Sequence, residues 1–200
     1  MKLRNFLVLI ITVLFMGNVV IAKEAEKGKS AKTNPENTIY LQLAGGRVVI
    51  ELLPESAPNH VARIKELTRE KFYDGVVFHR VIDGFMAQTG DPTGTGMGGS
   101  GKPDLKAEFN DVPHDRGVLS MARSSSPDSA NSQFFIVLED SHFLDGKYTV
   151  WGKVVEGMQF VDAIKKGDAR QNGKVDNPDK IITMRVAADV KDDTKDKAKE

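Results

Sequence analysis

Short runs rich in Val, Ile, Leu, Phe and Tyr punctuate the middle of this chain, at residues 39–43, 47–53, 76–82, 117–122, 132–138, 148–155 and 181–187. Such side chains suit a pleated, half-buried surface, so each run reads as a strand. Gly45 and Gly46, between the first two runs, mark a hairpin. Only two stretches have helical spacing: residues 58–71, with Val61, Ile64 and Leu67 on one stripe, and residues 158–166, with Phe160, Val161 and Ile164. Many strands with two helices specify a closed antiparallel barrel or a sandwich, and not alternating βαβ units.

The flanks differ from this middle. Lys2 and Arg4 precede an apolar run over residues 6–22 that ends Val20-Ile21-Ala22, with small residues where a cleavage site needs them. Residues 1–22 resemble a secretory signal peptide, with an uncleaved membrane anchor as the alternative. Residues 23–36 are polar and read as a flexible linker, and residues 190–200 as a charged, disordered tail. The folded domain is expected over 37–189.

Composition narrows the chemistry. Basic and acidic residues balance at 28 each, so no polyanion-binding surface is indicated and nucleic acid is not an expected partner. The chain has no cysteine, which removes disulfides, thiolate catalysis and cysteine-based zinc sites. His60, His79, His114 and His142 are far apart in sequence and show no metal-binding spacing, so no metal or cofactor is expected.

Residues 94–101 read GTGMGGSG, followed by Lys102, and superficially fit two nucleotide-binding fingerprints. A P-loop requires an apolar strand before it, a helix after it and a hydroxyl following the Lys, whereas Pro103 stands there. The dinucleotide fingerprint lacks its helix and its parallel sheet. The glycines therefore read as a flexible surface loop, and no nucleotide is expected.

Three longer segments carry a resemblance. FHRVIDGFMAQTGDP (78–92), LSMARSSSPDSANSQFFI (119–136) and FLDGKYTVWGKVVEGM (143–158) resemble, in order and spacing, the blocks of the cyclophilin family of peptidyl-prolyl cis-trans isomerases. The likeness extends over nearly all of 37–189. It implies a mainly β fold: a closed eight-stranded antiparallel barrel capped by two α-helices.

The implied reaction explains the residue types. Rotating an X–Pro bond breaks amide resonance against about 18–20 kcal/mol, with no covalent bond made or lost. In the twisted transition state the prolyl nitrogen regains its lone pair, so a donor aimed there binds that state alone. Arg80, permanently charged and carrying a rigid fork of N–H groups, is the candidate donor. The resemblance gives the arginine of FHR this role and makes Phe85, Met86 and Phe135 walls of a proline pocket, with Leu144 at its rim. Strand alternation puts Gln133 and Phe135 on one face, opposite Phe134 and Ile136, and puts Met86 and Gln88 on a shared face. Gln88 is expected to hold Arg80, while Gln133 and the backbone of Ala122 and Arg123 bind the substrate chain.

Three positions depart from the best-known eukaryotic pattern: Phe143 stands for Trp, Tyr148 for His and Arg123 for Asn. Phe143 and Tyr148 keep aromatic walls, but Phe143 has no N–H for cyclosporin, so weak binding of that drug is implied. The Ser124-Ser125-Ser126 loop holds an extra residue. A hydrolase reading lacks support, because no GxSxG is present and His79 lies on the strand face opposite Arg80; His79 is expected to be a hydrogen-bonded barrel residue. The expected protein is an exported, monomeric isomerase, periplasmic in a double-membraned bacterium, with secreted or anchored forms as alternatives. Its expected partners are proline-containing peptides and unfolded exported proteins, and it meets a membrane only transiently through the signal segment. The alternative function is a proline-binding chaperone or scaffold with incidental turnover.

Overall fold

The computed structural model describes residues 34–190. The expected signal peptide (1–22), residues 23–33 of the expected linker and residues 191–200 of the tail lie outside the described residues. Asn34 caps a short 3-10 turn, Pro35–Asn37, that leads into the first strand. Among the described residues no helix is long and apolar enough to cross a membrane.

Eight strands follow: β1 Thr38–Leu43, β2 Gly46–Leu52, β3 Arg80–Ile82, β4 Met86–Thr89, β5 Val118–Met121, β6 Phe134–Val137, β7 Val150–Glu156 and β8 Thr183–Val186. All ladders are antiparallel, in the order β3-β4-β6-β5-β7-β2-β1-β8. The hairpin turns at Ala44 and Gly45, since Leu43 pairs with Gly46. Glycine is required at Gly46 because an added Cβ would lie 2.4 Å from the Phe160 ring.

The expected closed barrel is not what forms. The sheet is a curled, open half-barrel whose edges are β3 and β8. Between those edges runs an irregular segment that bonds to residues 75–81 backbone to backbone: Gly173 O accepts from Val81 N at 2.8 Å, Asp179 O from Phe78 N at 2.9 Å and Ile181 O from Gly75 N at 2.8 Å. This segment cannot be a strand, because Asn172, Gly173 and Asn177 have positive φ and Pro178 lacks an N–H.

Two helices accompany the sheet, α1 Pro58–Arg69 and α2 Met158–Asp162. Pro58 suits the first helical position, and the cap comes from far along the chain: the Glu108 carboxylate accepts from Asn59 N at 3.1 Å and His60 N at 3.0 Å. Val61, Ile64 and Leu67 form the buried stripe. They join the main core with Ile39, Leu41, Phe78, Phe134 and Trp151. Phe134 is fully buried there, edge-on to Tyr73 and Trp151 at centroid distances of 5.5 and 5.3 Å.

The site depends on β6 being buried on both faces. Phe134 and Ile136 enter the main core, whereas Phe135 and Val137 enter a second apolar cluster with Met86, Val118, Leu144 and Val150. β4 alternates likewise, sending Ala87 to the first cluster and Met86 to the second. A recognition surface thus rests on the outer face of strands whose inner face is core.

Candidate active site

Within the second cluster, a cavity of about 110 Å³ is lined by Phe85, Met86, Phe135, Leu144 and Tyr148 together with Arg80, Gln88, Ala122 and Arg123. Small-molecule sites usually span ~300–1,000 Å³, so this one is sized for a single side chain. Phe135 is its fixed wall. Its ring is 5% exposed, meets Tyr148 edge-on at 5.8 Å and stacks on His114 at 6.2 Å. His114 is itself fixed by Ser120 Oγ at 3.1 Å and Asp145 Oδ1 at 2.8 Å. Leu144, expected at the rim, is buried in the wall. Phe143 stands outside, 62% exposed, with its ring 5.4 Å from Phe85.

Arg80 begins β3 and faces Gln88 across the ladder. Its Nη1 donates to Gln88 Oε1 at 3.1 Å and lies 3.9 Å from Met86 Sδ. Its Nε donates to Asn172 O and its Nη2 to Asn172 Oδ1, each at 3.0 Å. Burial pulls the Arg80 pKa down, with Tyr148 opposing, yet a guanidinium remains charged at neutral pH. Asn172 was not evident from the sequence, since it lies 92 residues from Arg80 and only its Asn-Gly context marked a turn.

Beside the small cavity lies a wider groove of about 630 Å³ that shares Gln88, Ala122 and Arg123 with it. Gln133 lies here, accepting from Gln88 Nε2 at 3.0 Å and donating to Gly96 O and Gly98 O at 3.0 and 2.9 Å. Ala122 N donates to Gln133 O at 2.9 Å. Arg123 crosses the boundary between the two spaces, its Cζ 4.6 Å above the Tyr148 ring, and bonds to Lys147 O and Ser124 O at 2.9 Å. The serine loop closes as a compact turn in which Ser129 Oγ accepts from Ser124 N at 2.9 Å.

The glycine run forms one side of this groove, and it is more than a flexible loop. It wraps the buried Asp91 carboxylate, which accepts from the amides of Thr93, Thr95, Gly96 and Gly98 at 2.6 to 3.1 Å. Burial alone would push the Asp91 carboxyl up, but the Gly98, Thr93 and Gly96 donors outweigh it and hold it well below the usual range. The amides that would cradle a phosphate are turned onto an internal anion.

His79 corrects another expectation. It is 8% exposed on the face opposite Arg80, but neither ring nitrogen has a hydrogen-bond partner. Burial lowers its pKa, so the ring is neutral at pH 7. On the exposed surface Asp115, Asp140 and His142 bring ligand atoms within 4.8 Å of one another, a juxtaposition that the histidine spacing did not indicate.

A side-chain-sized apolar pocket, a guanidinium fixed at its edge and an adjoining groove for extended chain define a peptide-binding protein with no nucleophile-base pair in that pocket. Residues 38–186 match the family described as cyclophilin type peptidyl-prolyl cis-trans isomerase. A probable peptidyl-prolyl cis-trans isomerase of Brucella suis is 54% identical over 173 residues, covering 81% of this chain and 88% of its own. Peptidyl-prolyl cis-trans isomerase B of Bacillus subtilis is 44% identical over 138 residues, covering 68% of this chain and 96% of its own. Among solved structures, a cyclophilin from Hirschia baltica superposes with a TM-score of 0.72 at 30% identity, covering 80% of this chain and 77% of its own. A Cryptosporidium parvum cyclophilin type peptidyl-prolyl cis-trans isomerase, crystallised in the presence of the dipeptide Ala-Pro, gives 0.68 at 29%, covering 74% and 98%. The chain belongs to the cyclophilin-type peptidyl-prolyl cis-trans isomerases, a family of enzymes that bind proline-containing peptides.

Proposed function

We propose that this isomerase turns X–Pro bonds of exported polypeptides, with Arg80 as the donor to the twisted prolyl nitrogen. The observation carrying this reading is the fixed Arg80 fork at the edge of the pocket of Phe85, Met86 and Phe135. The pyrrolidine ring enters between those side chains, and the preceding peptide bond stays at the mouth, free to rotate. As the nitrogen pyramidalises, an Arg80 N–H bonds to it. The planar amide offers no such lone pair, so the bond lowers the barrier without tightening ground-state binding. Gln88 holds Arg80 and reaches toward the moving carbonyl. Ala122 N is taken by Gln133, so a substrate chain meets the Ala122 carbonyl and the Arg123 amide.

The export reading is supported by the basic and apolar character of residues 1–22 and by the small residues at Val20 and Ala22. In a double-membraned host the working place is the periplasm, and the clients are proteins folding there. A cis-to-trans assay on a short proline peptide, run with the chain from Lys23 and its Arg80→Ala variant, tests the mechanism. Turnover by the parent that collapses in the variant supports it; equal turnover would show that catalysis does not use Arg80.

A further inference from the structure

Arg80 is held by two residues. Gln88 holds one end of the fork, and Asn172 holds the other, through its backbone oxygen on Nε and its side-chain oxygen on Nη2. Both acceptors belong to one residue because Asn172 is left-handed, with φ 54° and ψ 35°. Asparagine tolerates that conformation where most side chains do not. The loop carrying it is pinned to β3 on both sides, by Gly167 N on Val81 O at 2.9 Å and Val81 N on Gly173 O at 2.8 Å. Its two limbs touch so closely that a Cβ at Gly167 would lie 1.9 Å from Gly173 O. Asp168 Oδ1 closes the turn on Arg170 N at 2.9 Å.

We propose that Asn172 is the positioning residue for Arg80, its side-chain oxygen setting the plane of the guanidinium; the inference rests on the donor role given to Arg80 above. A guanidinium has five N–H groups. Nε–H and one Nη2–H are committed to Asn172, and Nη1 faces Gln88 and Met86. The remaining Nη2–H is the one presented to the prolyl nitrogen. Without Asn172 Oδ1, Arg80 keeps its charge and two of its bonds, but the fork can rock about Nε, and the donor spends less time where the lone pair develops. Because the donor acts only in the transition state, the loss falls on kcat and not on KM.

The test is a double-mutant cycle on the chain from Lys23, with kcat, KM and Tm measured for each variant. Asn172→Gly keeps the left-handed backbone and its carbonyl while deleting only the side-chain acceptor. It should lower kcat about 3- to 10-fold with KM within about twofold, since misplacing a reacting group by as much as 1 Å can cost ~100-fold. Asn172→Asp restores an acceptor and should recover most of the rate. In the Arg80→Ala background, Asn172→Gly should have no further effect. Unchanged kcat in Asn172→Gly overturns the proposal, as does an Asp variant as slow as the Gly variant or a loss that persists in full without Arg80. Wild-type turnover in Arg80→Ala alone would instead remove the donor role itself, and the cycle reads that outcome separately.

Discussion

Arg80 and Gln88 are cross-strand partners in the β3–β4 ladder, and the 3.1 Å bond between their side chains starts a line of amides that ends in the glycine loop. Gln88 passes to Gln133, and Gln133 to the carbonyls of Gly96 and Gly98, whose amides close on Asp91. The glycines that imitate a nucleotide motif in the sequence are thus the outer end of a scaffold for Arg80.

Arg80→Ala should fold and lose most of its turnover. The side chain is only half-buried and lies outside both apolar clusters, so its removal costs the core little. By analogy with an oxyanion donor, the lost transition-state bond is worth about 2.7–4 kcal/mol, or roughly 100- to 1,000-fold in kcat. The peptide assay together with a thermal melt checks both halves.

His79 gives the fold an acid-sensitive term. Burial lowers its pKa from the ordinary 6.5, so below that pH the unfolded chain binds a proton that the native state refuses. Stability therefore falls as pH drops through 6.5 toward the lowered native value, by at most about 1.36 kcal/mol per pH unit. His79→Phe removes both the titration and two unpaired buried nitrogens. Its Tm should match or exceed the wild type near pH 7 and decline less toward pH 5. Parallel pH profiles for the two proteins would refute this account.

Phe143 is exposed and rests on Phe85, at the edge of the pocket and not in it. It offers apolar surface but no donor, so cyclosporin should bind weakly. Phe143→Trp supplies an indole N–H worth about 0.5–1.5 kcal/mol, or roughly 2- to 13-fold in Kd. Peptide turnover should change little, because the ring pocket is built from Phe85, Met86 and Phe135. Titration of both proteins with the drug decides this, and equal affinities would clear Phe143 of the role.

On the export proposed above, the mature chain should begin at Lys23, or a few residues later if cleavage follows Ala25. Mass spectrometry of protein recovered from the exporting host reads the first residue. An intact Met1 in a membrane fraction would establish the anchored form instead.

Much of the architecture was legible because alternation is a local signal. The apolar stripe of α1 and the two faces of β6 follow directly from residue spacing. Sheet closure was not legible, because what separates β3 from β8 is a segment whose backbone Asn172, Asn177 and Pro178 turn away from strand geometry. The helix expected over 158–166 stops at Asp162, and Lys165 N donates to Asp179 Oδ2 at 2.8 Å instead of to a helical carbonyl. The residues lining the small cavity were named from three motif blocks, each continuous in sequence, although Met86 and Phe135 lie far apart along the chain. Asn172 and His114 were missed because their contacts with Arg80 and Phe135 are tertiary and leave no periodic trace.

Arg69, at the end of α1, bonds to Glu36 in the first described turn and to Asp189 in the last, at 3.1 and 2.8 Å. The beginning and end of the folded domain are therefore fastened to one side chain. A short linker joining them would span little distance, and new termini could be cut in the exposed serine loop at 124–126. The chain order of the eight strands is in this sense circular: the fold is a closed itinerary that happens to be opened beside Arg69, and a permuted gene should trace the same sheet from a different starting point.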